Sequence, residues 1–78
     1  MVAKTSREWE DQVKDLLKIE LKRRKVTYAE LVVRLAEIGV FESERNIRNK
    51  ISRGKFTAVF LLQCLQAIGV KDLQILKT

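Results

Sequence analysis

The chain contains no proline and no histidine, one cysteine, and three glycines in 78 residues. Without proline there is no built-in helix breaker, so helices run until a cap or a glycine stops them. Without histidine, imidazole bases and imidazole metal ligands are excluded. Cys64 stands alone, which leaves no internal disulfide and no paired-cysteine metal or redox motif. The glycines are scattered, so no phosphate-cradling glycine loop is present. No nucleophile has an evident base beside it. The expectation is a protein that is not an enzyme, holds no metal or cofactor, and takes no small-molecule substrate. Aromatic residues amount to 6%, sparse for a single-stranded RNA reader that stacks bases.

Long apolar runs are missing too. The longest, Ala58 to Val70, is broken by Gln63 and Gln66 and is too short to span a bilayer. The opening MVAKTSREWE has no apolar signal core, and the reading is of a reduced, cytoplasmic, soluble protein without membrane contact. What is present suffices for one small core, since 46% of the residues are hydrophobic. A chain of this length forms one domain burying about 60–65% of its unfolded surface. The expected division is a disordered tail over residues 1–5 and a single helical domain over residues 6–78.

The helices are marked by their own punctuation. Thr5 with Glu8, and Thr27 with Glu30, have capping-box spacing, and Val26 can staple against Leu31. Helix one runs from about Ser6 to Arg24 with a stripe of Trp9, Val13, Leu16, Leu17 and Leu21. Helix two carries Leu31, Leu35 and Ile38 inward and stops at Gly39. Helix three is capped by Ser43 and stopped by Gly54. Helix four starts at Thr57 and points Ala58, Leu61, Leu62, Leu65 and Ile68 inward before Gly69. A short fifth helix begins at Asp72. The endings LAEIGV and LQAIGV share a pattern in which glycine turns left-handed and valine folds back on leucine. The spacing predicts an all-α, five-helix domain, with Leu31, Leu35, Ile47, Ile51, Leu61 and Leu65 converging. Cys64 falls at the edge of the helix-four face as a small core hydrophobe.

The net charge of +6 is unevenly placed. Up to Glu42 there are nine Lys/Arg against eight Asp/Glu, and from Ser43 onward seven against two. The excess gathers in SERNIRNKISRGK, residues 43–55. On a helical wheel Ile47 and Ile51 face inward together, while Arg45, Asn49 and Ser52 point nearly opposite, flanked by Asn46, Arg48 and Arg53. Arginine and asparagine read guanine and adenine edges bidentately, and arginine and lysine grip phosphates. The alternative is a plain solvated face. A second basic knot, Lys22 to Lys25, is either part of the same footprint or a complement to the dipole at the end of helix one.

The order Thr27-Tyr-Ala-Glu-Leu31, Leu35, Gly39-Val40, Ser43, Ile47, Arg53-Gly54, Thr57, Leu61-Leu62 and Ile68-Gly69-Val70 resembles the five-helix helix-turn-helix fold of Cro and phage-repressor-type (XRE-like) regulators. TYAEL, ERNIRNKISRGKF and FLLQCLQAIGV more narrowly resemble a small bacterial family known as a domain of unknown function. The segment from Leu31 to Gly39 exceeds the regulators' usual length by close to one helical turn. The resemblance implies base-reading positions at Glu44, Arg45 and Asn49. It implies phosphate contacts at Asn46, Arg48, Arg53, Lys55 and Tyr28. Glu44 also suits a first-turn acid facing the helix dipole, and Tyr28 a half-buried ring with its hydroxyl in water. Trp9 reads as core or as a dimer anchor, and Val59 and Phe60 as a self-association patch for a homodimer on a two-fold site.

The implied function is a small transcription regulator binding double-stranded DNA through helix three. The alternative is a protein-interaction or homodimerisation domain on the same fold. An open, positive helix-three face favours the first, whereas Arg45 and Arg48 tied to Glu42 and Glu44 favour the second.

Overall fold

The computed structural model describes residues 3–73. Each helix begins where a hydroxyl can take up an otherwise unpaired first-turn amide. The helices are α1 (Ser6–Arg23), α2 (Tyr28–Glu37), α3 (Glu44–Arg53) and α4 (Ala58–Ala67), capped by Thr5, Thr27, Ser43 and Thr57. The cap oxygens accept from the amides of Glu8, Glu30, Asn46 and Phe60 at 3.2, 3.1, 3.1 and 3.0 Å. At α1 the box is complete, because Glu8 also accepts from the Thr5 amide. At Thr27 the Glu30 carboxylate instead accepts from the threonine hydroxyl. Val26 and Leu31, flanking that cap in staple positions, are both buried in the core.

The two LxxIGV endings form as the sequence implies. The Val40 and Val70 amides donate to the Leu35 and Leu65 carbonyls, each at 2.9 Å. A third ending of the same kind closes α1, where the Val26 amide donates to the Leu21 carbonyl at 2.9 Å. There the left-handed position is held by Lys25, at φ 56°. A lysine in that conformation costs about 1–2 kcal/mol. Less the flexibility glycine adds to the unfolded chain, Lys25→Gly should stabilise the domain by about 0.5–1 kcal/mol. A higher urea midpoint with an unchanged slope is the expected result; a lower one would mean that the lysine side chain contributes more than its backbone costs.

The described residues are all-α, with four helices and no strand. The fifth helix expected from Asp72 falls largely outside them, and Lys71–Leu73 are not helical. Packing runs in series: α3 lies against both α1 and α2, and α4 lies against α2. Leu17, Leu21, Val26, Leu31, Leu35, Ile47, Ile51, Phe60, Cys64, Leu65 and Ile68 form the core. Among the described residues no helix is long and apolar enough to cross a membrane.

Three faces differ from the sequence reading. On α4, Phe60 and Cys64 are inside with Leu65 and Ile68, Leu61 is only half-buried, Ala58 is exposed, and Leu62 is 66% exposed. This helix is apolar around most of its circumference, so periodicity does not determine its rotation. The Phe60 ring does, packing edge-on against Phe56 with centroids 5.5 Å apart. On α1, Leu17 and Leu21 are buried, but Val13 and Leu16 are half-buried and Trp9 is 50% exposed. The buried residues of α1 are Leu17, Glu20 and Leu21, and nearer its start Glu10 and Lys14 are half-buried where the backbone at Glu10 meets Gly54 at the end of α3. Ile38 caps α2 and is partly in solvent, not inward.

Candidate functional site

Helix α3 is anchored by two side chains. Ile47 and Ile51 are completely buried, whereas Arg45, Asn46, Arg48, Asn49, Ser52 and Arg53 are all exposed. The wheel geometry therefore holds for this helix, since its apolar residues occupy one narrow sector and nothing else on it competes for the core. Ser52 donates to the Asn49 backbone carbonyl at 3.2 Å, and the Asn49 side chain is exposed. Lys55 follows in the loop after Gly54 and is exposed.

The cations on this helix are not equivalent. Arg48 is tied to Glu44 at 2.6 Å, one turn back, and its guanidinium lies 5.8 Å from the centre of the Tyr28 ring. Glu44 thus both faces the N-terminal dipole and neutralises Arg48. Tyr28 is half-buried and joins α2 to α3 through that cation–ring contact. Lys50 is tied to Glu42 at 2.6 Å and lies 4.7 Å from the centre of the Phe60 ring. Arg45, Arg53 and Lys55 have no carboxylate partner among the described residues. The outward face is therefore open at its tip and C-terminal end and neutralised on the flank beside α2.

The Lys50–Glu42 pair was not singled out from sequence. It fastens the connection between α2 and α3 onto α3, beside the α4 ring, and so fixes how α3 enters the domain. Between Glu42 and the half-buried Val40, Phe41 is left 82% exposed. Spacing offered a signal for the pair only in retrospect, because eight residues and a turn separate its members. Cys64 is close enough to feel both charges, but burial dominates and pushes its thiol up to about 12, with Lys50 lowering it and Glu42 raising it. It behaves as a core side chain and stays protonated at neutral pH.

The other candidates separate. Val59 is 62% exposed and, with Leu62, lies on the outer face of a helix that carries no charge. Phe60 does not join that patch, because it is buried in the core. Trp9 sits apart on α1 with the Lys4 ammonium 4.4 Å from its ring centre; Lys4 also donates to Gln12. In the second basic knot, Glu20 is buried and bound by Arg23 at 3.2 Å and Arg24 at 3.5 Å. Those two arginines serve the end of α1, leaving Lys22 and Lys25 exposed and without a carboxylate partner among the described residues.

Taken together, the surface of α3 offers guanidinium, amide and ammonium donors to an acceptor-rich, anionic partner. Among the described residues, no group of three or more His, Cys, Asp or Glu could hold a metal ion. No curated protein and no solved structure matches the chain. Residues 9–73, from Trp9 in α1 to Leu73 beyond α4, match the family described as Domain of unknown function (DUF6471), and the chain belongs to that family.

Proposed function

We propose that the domain binds double-stranded DNA, as a helix-turn-helix module of Cro and phage-repressor type, with α3 entering the major groove. One observation carries this reading: α3 buries only two isoleucines and turns the rest of its basic, amide-bearing surface outward. Arg45 and Asn49 lie on that outward face near its start and middle, suited to guanine and adenine edges. Arg53 and Lys55 lie at its far end, suited to phosphates. The positive charge concentrated from Ser43 onward supplies the sequence-independent attraction. The module is read as non-catalytic and as acting in transcription regulation.

The two groups of side chains should fail differently. Arg53→Ala or Lys55→Ala should weaken binding to all duplexes alike and lower the salt-dependence slope by roughly one per lost phosphate contact. Arg45→Ala or Asn49→Ala should cost about 1–3 kcal/mol on a preferred site, once selected from random sequence, and little elsewhere. Binding of random-sequence duplex, titrated with salt, is the measurement. Four indistinguishable variants would mean that charge alone acts.

A second reading, a protein-interaction or homodimerisation domain, is favoured by the Arg48–Glu44 pair and by the uncharged Val59–Leu62 face of α4. Wild-type protein that shows no salt-dependent duplex binding at low ionic strength would shift the function to that reading.

A further inference from the structure

Beside the C-terminal end of α3 lies an open groove of about 680 Å³ whose other wall is the first half of α1. Arg7 and Lys14 line it from α1, and Arg53 and Lys55 from the α3 side, with Glu10 and Asp11 also at its edge. Asp11 is neutralised by Lys14 at 3.4 Å. Arg7, Arg53 and Lys55 have no such partner among the described residues. The walls are held together firmly: a Cβ at Gly54 would stand 2.4 Å from the Glu10 carbonyl oxygen, so the two backbones touch with no side chain between them. Arg7, one turn before Glu10, is thereby brought beside the two cations that flank Gly54.

We propose that this groove is a path for the phosphate backbone of duplex DNA and that Arg7 belongs to the footprint with Arg53 and Lys55. The proposal rests on the DNA-binding reading of α3 and extends it to a helix that reading does not use. Arg7, Arg53 and Lys55 are long and exposed, and the groove is open with no enclosed pocket, which suits a chain of phosphates passing across it better than a single small anion. Ser52 lines the same groove and lies on the outward face with Arg45 and Asn49, so a strand gripped here continues onto the surface of α3. Glu10, at the groove's edge, has no cation partner among the described residues and repels phosphate, so the grip falls to Arg7, Arg53 and Lys55.

The test compares salt-dependence slopes on a short random-sequence duplex for wild type, Arg7→Ala, Arg53→Ala and Arg34→Ala. Arg34→Ala removes the same charge from an exposed residue of α2 that lines a separate hollow with Glu30, Glu37 and Ala67 and takes no part in the groove. Arg7→Ala and Arg53→Ala should each lower the slope by about one, Arg34→Ala should leave it unchanged, and Arg7→Lys should retain it. A lowered slope for Arg53→Ala with a wild-type slope for Arg7→Ala would overturn the groove while leaving the α3 reading intact. Equal losses for Arg7 and Arg34 would overturn it as a general charge effect. Absence of wild-type binding would remove both readings together. Arg7→Gln, checked by thermal melting, provides a second variant should the alanine protein not fold.

Discussion

Gly54→Ala is expected to cost the domain about 3 kcal/mol or more, because two separate penalties fall on one methyl group. Gly54 has φ 64°, and a side chain in that left-handed conformation costs about 1–2 kcal/mol. The added Cβ would also sit 2.4 Å from the Glu10 carbonyl oxygen and 2.9 Å from its carbon. These are backbone atoms of α1, which cannot swing aside as a side-chain tip can, and forced repacking of this kind costs about 1–3 kcal/mol. Gly39 and Gly69 provide the control. Both have φ 82°, and a Cβ at either would meet nothing within 4 Å, so their alanine variants should lose only the conformational part. Urea unfolding of the three variants decides the matter: equal losses would mean that α1 and α3 do not meet as closely as described. The substitution should also separate Arg7 from Arg53 and Lys55, so any folded Gly54→Ala protein should have a reduced salt slope on duplex DNA.

The second large effect lies on α4. Phe60→Ala should destabilise by about 3–5 kcal/mol, as removal of a buried aromatic does. Leu62→Ala should change stability by no more than about 0.5 kcal/mol. The sequence reading places Leu62 inside and Phe60 in a surface patch with Val59, so the two assignments lead to opposite results. Chemical denaturation of both variants separates them. A larger loss at Leu62 than at Phe60 would restore the rotation read from sequence.

The contrast between α3 and α4 explains which parts of the fold were legible. On α3 the isoleucines are the only apolar residues among charges and amides, so one rotation buries them and every other rotation buries charge. Its outward surface followed from the sequence alone. On α4 almost every position is apolar or uncharged, and several rotations bury similar area. Helix α1 is an intermediate case. Its apolar stripe is used only at the C-terminal end, where Leu17 and Leu21 are buried, while Trp9 at the other end is half in solvent.

The candidate site divides in the same way. The exposure of Arg45, Asn49 and Arg53 was legible, since it depends on neighbours within a few residues. The pairing of Arg48 with Glu44 was foreseeable from their spacing of one turn, although Glu42 pairs with Lys50 and not with Arg45. The proximity of Arg7 to Arg53 was not legible, because no local rule connects the start of α1 to the end of α3.

By itself the sequence determined the all-helical class, the start of each helix at its hydroxyl cap, and the two glycine-valine endings. These depend on hydrogen bonds and dihedral preferences spanning no more than about two turns. It likewise determined that α3 would show a basic face, because charge burial is too costly for any alternative rotation. Tertiary structure alone decided the rotation of α4, the exposure of Trp9, the clamp of Lys50 on Glu42 and the groove between α1 and α3. Each of these depends on which surfaces meet across the core, where many sector choices bury comparable apolar area. The choice among them falls to a ring that fills a gap and a glycine that lets two backbones touch.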